Sequence, residues 1–329
     1  MRIGATAQLV MRVDKLRVDL FTRRQRACVV DRISFDVGRG GTLGLVGESG
    51  SGKSITCRAV LGLLPRGMNV TEGSITFDGT DLRGLHEKKL ANLRGKRIGF
   101  IPQDPLAGLN PVRRVGDQVA ETYSVHRVAK TREANERAVE LLSRVGIPQA
   151  KERARAYPHQ FSGGMRQRVL IAMAIAHEPD LLLADEPTTA LDVTVQLQIL
   201  KLIADLQEAA GMSLVLVTHN FALVGGMCDE VAVMYGGRLL ETGATEDVLS
   251  EPLHPYTDAL LAAMPHLSVG KARTKLRGIP GSQPRLGEAV GGCVFRTRCG
   301  FSDEPCRSVD MSLIEKRTGH WSACPFRPQ

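Results

Sequence analysis

An open α/β fold built on a largely parallel sheet is what this sequence predicts, and three stretches predict it: "LGLVGESGSGKS" from Leu43, "LLLADEP" from Leu181 and "SLVLVTHN" from Ser213. Each is a short apolar run that ends in glycine or polar residues. Apolar runs of this length without alternation read as strands buried on both faces. Polar groups gathered at strand carboxyl ends mark the edge where open α/β sheets bind ligands.

The first stretch is strand, glycine-rich turn and helix, the context that makes Gly-x-x-x-x-Gly-Lys-Ser a phosphate site. Gly47, Gly50 and Gly52 let the backbone curl so that successive N–H groups face a phosphate at a helix N-terminus. Lys53 would reach the β and γ phosphates, and the Ser54 hydroxyl would ligate Mg²⁺. In the second stretch Asp185 ends a buried strand, where a carboxylate needs a partner such as hydrated Mg²⁺. Glu186 then points another way and can polarise an attacking water. His219 closes the third strand at the same level, suited to a hydrogen bond with a phosphate or a water. Gln103, in "IGFIPQDPLAGLNP", follows a further apolar segment and can offer its amide oxygen to the metal.

Between these strands the chain changes character. Residues 117 to 160 are charged and helix-prone, as in "KTREANERAVELLSRV", and read as an inserted helical subdomain. Beyond about residue 245, "EPLHPYTDALLAAMPHL" predicts a short helix and "GIPGSQPRLGEAVGG" a glycine/proline loop. A tail with four cysteines follows.

Composition limits the function classes. The 329 residues are 43% hydrophobic, ample for a core. The longest apolar run, "VLIAMAIA" from Val169, falls short of the ~18 to 20 residues that span a bilayer, so no crossing segment is expected. The start of the chain has no apolar stretch of signal-peptide length, so export is not expected either. Seven cysteines in such a chain argue against a disulfide framework. Lys plus Arg outnumber Asp plus Glu by 43 to 35, a surplus that suits phosphates, anionic membrane or nucleic acid. An aromatic content of 4% leaves little for stacking on bases, which weakens the last.

Taken together, these residues resemble the ATP-binding subunits of ABC transporters. The deciding element is "FSGGMRQR" (Phe161 to Arg168), similar to the family's signature loop and placed, as in the family, upstream of Asp185. The resemblance covers residues 8 to 245 and implies a P-loop NTPase cassette with a mixed sheet core and inserted helical subdomain. It implies a Walker A loop of Gly47, Ser49, Gly50, Ser51, Gly52, Lys53 and Ser54, a Q-loop at Gln103 and a signature at Ser162, Gly163 and Gly164. Asp185 and Glu186 become Walker B and general base, "TALD" ending at Asp192 the D-loop, and His219 the switch histidine. ATP is then the cofactor with Mg²⁺ held through Ser54, Gln103 and Asp185, and catalysis rests on Glu186, His219 and Lys53. Phe21 is either the aromatic that stacks on adenine or a strand core residue. Phe161 and Met165 stand where the family often has Leu and Gln, and Asn220 where Asp is common; none of these removes a group the chemistry needs.

In this family two cassettes sandwich ATP head to tail. The stretches "IPQDPLAGLNP", "FSGGMRQRVLIAMAIAHEPDLLLADEPTTALDVTVQ" and "HPYTDALLAAMP" look closer still to the oligopeptide/dipeptide importer subfamily. That resemblance implies a homologous but different second ATPase, two permeases, an extracytoplasmic solute-binding protein and a peripheral position on the cytoplasmic face of the cell membrane. The alternative is a soluble ABC ATPase acting on nucleic acid or the ribosome, though such proteins generally carry two cassettes or a long coiled-coil insertion. A regulatory subunit without chemistry is disfavoured by the presence of Lys53, Asp185, Glu186 and His219.

Cys293, Cys299, Cys306 and Cys324 fall in the expected extension, residues 246 to 329, a small loop-rich unit outside the ATPase machinery. The close C-x2-C pair usual at zinc sites is missing. The subfamily resemblance implies a [4Fe-4S] cluster on the four thiols; zinc, with His320 as a substitute ligand, and free thiols stay open. Cys28, Cys57 and Cys228 stand apart and read as core thiols.

Overall fold

The computed structural model describes residues 8–23, 25–126, 128–189, 191–264, 278–288 and 291–327. Two long strands, β1 (Leu9–Phe21) and β2 (Arg26–Gly38), pair antiparallel and lead into β3 (Thr42–Val46). Helix α1 (Lys53–Val60) follows, and β4 (Met68–Phe77) and β5 (Thr80–Asp81) complete a four-stranded sheet in the order β2-β1-β4-β5. After α2 (Glu87–Leu93) comes β6 (Ile98–Ile101).

The charged stretch is helical as the sequence predicts. It holds α3 (Pro105–Gly108), α4 (Val115–Val125), α5 (Thr131–Arg144), α6 (Ala150–Arg153) and a 3-10 turn over Pro158–Gln160, ahead of α7 (Gly163–Ile175). On α5 the buried residues Ala134, Ala138, Leu141 and Leu142 recur at helical spacing and make one face apolar. The chain then alternates through β7 (Leu181–Asp185), α8 (Val193–Ala210), β8 (Ser213–Thr218), α9 (Phe221–Gly225), β9 (Glu230–Tyr235), β10 (Arg238–Ala244), α10 (Thr245–Ser250) and α11 (Pro255–Ala262).

The second sheet has eight strands in the order β11-β12-β10-β9-β3-β8-β7-β6, where β11 is Ile314–Arg317 and β12 is His320–Ser322. From β9 to β6 every pairing is parallel, and from β9 outward to β11 every pairing is antiparallel. Every residue of β7 and of β8 is buried, which explains their unbroken apolar runs: both sheet faces are covered. Alternate residues serve different cores. Leu181, Leu183, Val215 and Val217 pack toward the antiparallel sheet with Val13, Phe35 and Ile75. Leu182, Ala184, Leu214 and Leu216 pack toward the helices with Val119, Leu142 and Val169. None of the helices among the described residues is long and apolar enough to cross a membrane.

Two expectations need correction. The cysteine-bearing segment contains loops, but it is not outside the main body. Strand β12 pairs with β10 through Glu241↔Ser322 and Thr242↔Trp321, so the tail hairpin forms the edge of the large sheet. Val294, Phe295, Met311 and Ala323 are buried in the helix-side core, so apolar burial ties the segment down as well. Second, Cys57 and Cys228 are buried, whereas Cys28 is only half-buried on β2, with its thiol on the Val30 carbonyl at 3.3 Å.

One buried carboxylate fastens this junction. Glu241, fully buried on β10, accepts from the backbone N–H of Leu253 (2.6 Å) and of His254 (2.9 Å), and its Oε1 lies 2.7 Å from His320 Nε2. Glu241→Ala strands two buried N–H donors and one ring nitrogen. It should cost about 3 kcal/mol or more in urea unfolding of the full chain, with earlier proteolysis of the tail hairpin; wild-type unfolding in the variant would contradict this account.

Candidate functional site

Four adjacent parallel strands end on the same sheet edge, and each delivers one of the predicted groups there. Strand β3 runs into residues 47–54, β7 ends at Asp185, β8 is followed by His219 and β6 by Gln103. The register sets their level, because Val46 is opposite Thr218 and Asp185 is opposite Val217.

The glycine loop has no room for side chains at two points. At Gly47 (φ 157°) a Cβ would come within 2.0 Å of the Met234 carbonyl oxygen, and at Gly52 (φ 107°) within 2.7 Å of the Met234 methyl. Both angles also suit glycine best. Inside the loop the buried Lys53 ammonium donates to the carbonyls of Gly47 (2.7 Å) and Glu48 (2.9 Å). Burial lowers the Lys53 pKa, opposed by the nearby carboxylates of Glu186, Asp185 and Glu48. A cation surrounded by three acids at a helix start suits an incoming polyanion with its own divalent cation.

Ser54 Oγ donates to Asp185 Oδ1 at 2.8 Å, which joins the two groups predicted to share Mg²⁺. Burial raises the Asp185 pKa, and Glu186 adds to the shift, while the Ser54 bond opposes it. Glu186 takes a left-handed backbone conformation (φ 46°), with its N–H on the Val217 carbonyl. This turn aims its side chain away from that of Asp185. Glu186 Oε2 accepts from Thr189 Oγ1 (2.9 Å) and Gln103 Nε2 (3.1 Å), and lies 3.4 Å from His219 Nδ1. Gln103 makes this contact through its amide nitrogen, which does not involve the amide oxygen expected to serve the cation. Its amide nitrogen is spent on Glu186, and the side chain sits with the acid.

Other predicted residues lie apart from this cluster. Ser162 caps α7 by accepting from the Met165 N–H, and added Cβ atoms at Gly163 and Gly164 would meet Leu191 and Val195. Asp192, which closes a stretch whose Ala190 lies outside the described residues, caps α8 through the Val195 N–H. The signature turn thus sits beside the α8 start, and none of its hydrogen bonds among the described residues reaches the phosphate loop. Phe21 is not a core residue. It stands 43% exposed at the end of β1, with the Arg26 guanidinium 5.5 Å from its ring centre.

All four tail cysteines line a single pocket of about 250 Å³, beside His254 and Phe301. Burial pushes the Cys293 thiol up to about 11, and the other three cysteines add to the shift. Among the described residues no three or more His, Cys, Asp or Glu side chains are disposed to hold a single metal ion. His320 does not line this pocket; its Nε2 is on Glu241, so it is not placed as a substitute ligand there.

Sequence reasoning missed Thr189, which steadies Glu186, and a set of contacts on Glu48 from beyond residue 250. The Glu48 N–H donates to the Tyr256 hydroxyl (3.0 Å), and its Oε2 accepts from Gln283 (3.1 Å) and Arg298 (2.9 Å). Thr189 was findable as a hydroxyl three residues past the expected general base. The Glu48 contacts carry no local signal at all.

The ABC transporter family model matches residues 30–189, and the model for the oligopeptide/dipeptide transporter C-terminal region matches residues 240–306. The dipeptide transport ATP-binding protein DppD of Escherichia coli K12 is 43% identical over 317 residues, covering 96% of each chain. The oligopeptide transport ATP-binding protein OppD of the same organism is 44% identical over 322 residues, 98% of this chain and 94% of that one. Among solved structures, the cassette MJ0796, described as a dimer in a post-hydrolysis state bound to ADP and Pi, is 26% identical with a TM-score of 0.64. It covers 71% of this chain and 98% of that chain.

The raised Asp185 pKa carries a sign that can be tested. A carboxylate whose pKa is raised by folding destabilises the ligand-free fold at neutral pH, and the effect disappears as pH falls through the ordinary carboxylate value of about 3.9. Asp185→Asn should therefore raise the stability of the ligand-free protein on the order of 1 kcal/mol at pH 7. The gain should vanish near pH 4 in parallel unfolding curves; a destabilised variant at pH 7 would contradict it.

Proposed function

The chain belongs to the family of ABC transporter ATP-binding subunits, and on that premise we propose that it hydrolyses ATP to drive peptide uptake through partner permeases. One observation carries the chemistry: Lys53, Ser54, Asp185, Glu186, Gln103 and His219 converge on one sheet edge at the phosphate loop. Loop N–H groups and Lys53 would hold the phosphates, and Ser54 and Asp185 the Mg²⁺. Glu186, steadied by Thr189, would polarise the attacking water, with His219 beside it. Gln103 would sense the acid and pass its position to the helical subdomain, residues 105 to 165. Phosphoryl transfer leaves little covalent work for the protein, so positioning and charge supply the acceleration.

Ser162, Gly163 and Gly164 would complete the site of a second cassette. Their separation from the chain's own phosphate loop supports a sandwich dimer, as does the dimeric related cassette. The partner would be a homologous, different ATPase. Two permeases and an extracytoplasmic solute-binding protein would complete the importer, with this subunit at the cytoplasmic face of the cell membrane. Phe21, exposed at the end of β1, would offer its ring to adenine.

The cysteine pocket is proposed as a [4Fe-4S] site with Cys293, Cys299, Cys306 and Cys324 as ligands. Four thiols around one cavity support a cluster, and zinc on the same thiols is the alternative. When bound, a cluster would hold the tail loops by four bonds, in addition to their apolar burial.

Glu186→Gln should lower ATP turnover in the assembled transporter by about a hundredfold or more, while ATP keeps the two cassettes associated in gel filtration. Undiminished phosphate release would sink the assignment. Anaerobically purified protein should contain iron and acid-labile sulfide in equal amounts, and Cys306→Ser should lose both. A colourless, iron-free wild type with full transport would remove the cluster.

A further inference from the structure

We infer that Arg298, in the C-terminal segment, is a positioning residue for the phosphate loop, acting through its ion pair with Glu48. This goes beyond the proposed activity and rests on reading residues 47–54 as the site for ATP phosphates.

Glu48 is gripped from the far segment at main chain and side chain together. Its N–H donates to Tyr256 on α11, and its carboxylate accepts from Gln283 and Arg298. Arg298 is itself locked. Its side chain is 5% exposed, Nε donates to the Pro280 carbonyl (2.8 Å), and Nη1 also reaches the Tyr235 hydroxyl (3.3 Å). The guanidinium carbon lies 5.7 Å from the Tyr235 ring centre, and Tyr235 packs on Tyr256 and Phe295. A guanidinium this buried needs its carboxylate, because a charge left without a counter-charge in such a place is costly.

The inner and outer walls of the loop meet at the same residue. Outside, Glu48 is held by the ion pair, and the Ser51 carbonyl is held by the Gly237 N–H at 3.0 Å. Inside, the Glu48 carbonyl is one of the two that seat the Lys53 ammonium. A shift of Glu48 therefore moves the seat of the phosphate-binding cation. Nothing in this linkage touches a reacting atom; its effect is on the fraction of molecules whose loop is shaped for phosphate. Losing that fraction weakens apparent affinity in proportion. Cys299 follows Arg298 directly and lines the cysteine pocket, so the ion pair also ties that pocket to the loop.

The test is a titration of the full chain with a fluorescent ATP analogue and Mg²⁺, paired with KM and kcat for ATP in the assembled transporter. Arg298→Ala should weaken nucleotide binding about tenfold and Glu48→Gln about fivefold, each chiefly in KM with kcat at saturation changing less. Glu48 is partly exposed on a loop, so its variant tests the pair even where Arg298→Ala folds poorly. The double variant should bind no worse than Arg298→Ala alone, because both changes break one interaction, and Arg298→Lys should recover part of the affinity. Unchanged affinity in Glu48→Gln, or losses that simply add in the double variant, would overturn the inference while leaving the ATP site intact. A wild-type chain that binds no nucleotide would overturn both together.

Discussion

The parallel backbone ladder joining β3, β8, β7 and β6 is the constraint on which the rest of this molecule depends. It fixes four chain ends at one level, and side chains as different as Lys53, Asp185, Gln103 and His219 become neighbours through strand register. Each strand is buried on both faces, so a slip by one residue would exchange the residues that belong to two different cores. The site inherits its precision from this ladder, and the loops add only short final adjustments. The left-handed turn at Glu186 is one of these: a single unusual backbone angle sends successive acids to different tasks.

The site also shows what function asks of stability. Lys53 and Asp185 are buried with their ionised forms disfavoured by that burial, and each is kept by the neighbours that oppose the cost. Such groups are poor for folding and good for catching a polyanion with its metal. The surrounding sheet supplies the surplus that tolerates them, since dense apolar packing on both faces brings most of the favourable free energy.

Much of this was legible in the sequence because it is local. An apolar run followed by Gly-x-x-x-x-Gly-Lys-Ser, or by Asp185-Glu186, states strand, turn and chemistry within a dozen letters, and the charged helical stretch states its own period. What stayed hidden depends on contacts between distant segments. Arg298 reads as one basic residue in a cysteine-rich tail, and nothing near it names Glu48 as its partner. Strand β12 is three residues long, too short to show alternation, so the joining of the tail to the large sheet could not be read. Gln103 sits on the strand end expected of it, yet the partner of its amide is decided by the turn at Glu186. Phe21 suits an adenine-stacking position and a strand core equally in the sequence, because residues at a strand end carry no periodic signal on one side.

The edge pairing of β10 with β12 has a consequence for synthesis on the ribosome. Strand β10 emerges from the exit tunnel together with the rest of the cassette, but its ladder pairing through Glu241 and Thr242 forms only once Trp321 and Ser322 have also been made. During that interval the nascent chain displays an open strand edge, the surface most prone to capture by another copy. Polysomes bring such copies close together. The tail hairpin is thus the piece whose arrival ends the period in which neighbouring nascent subunits can pair by mistake.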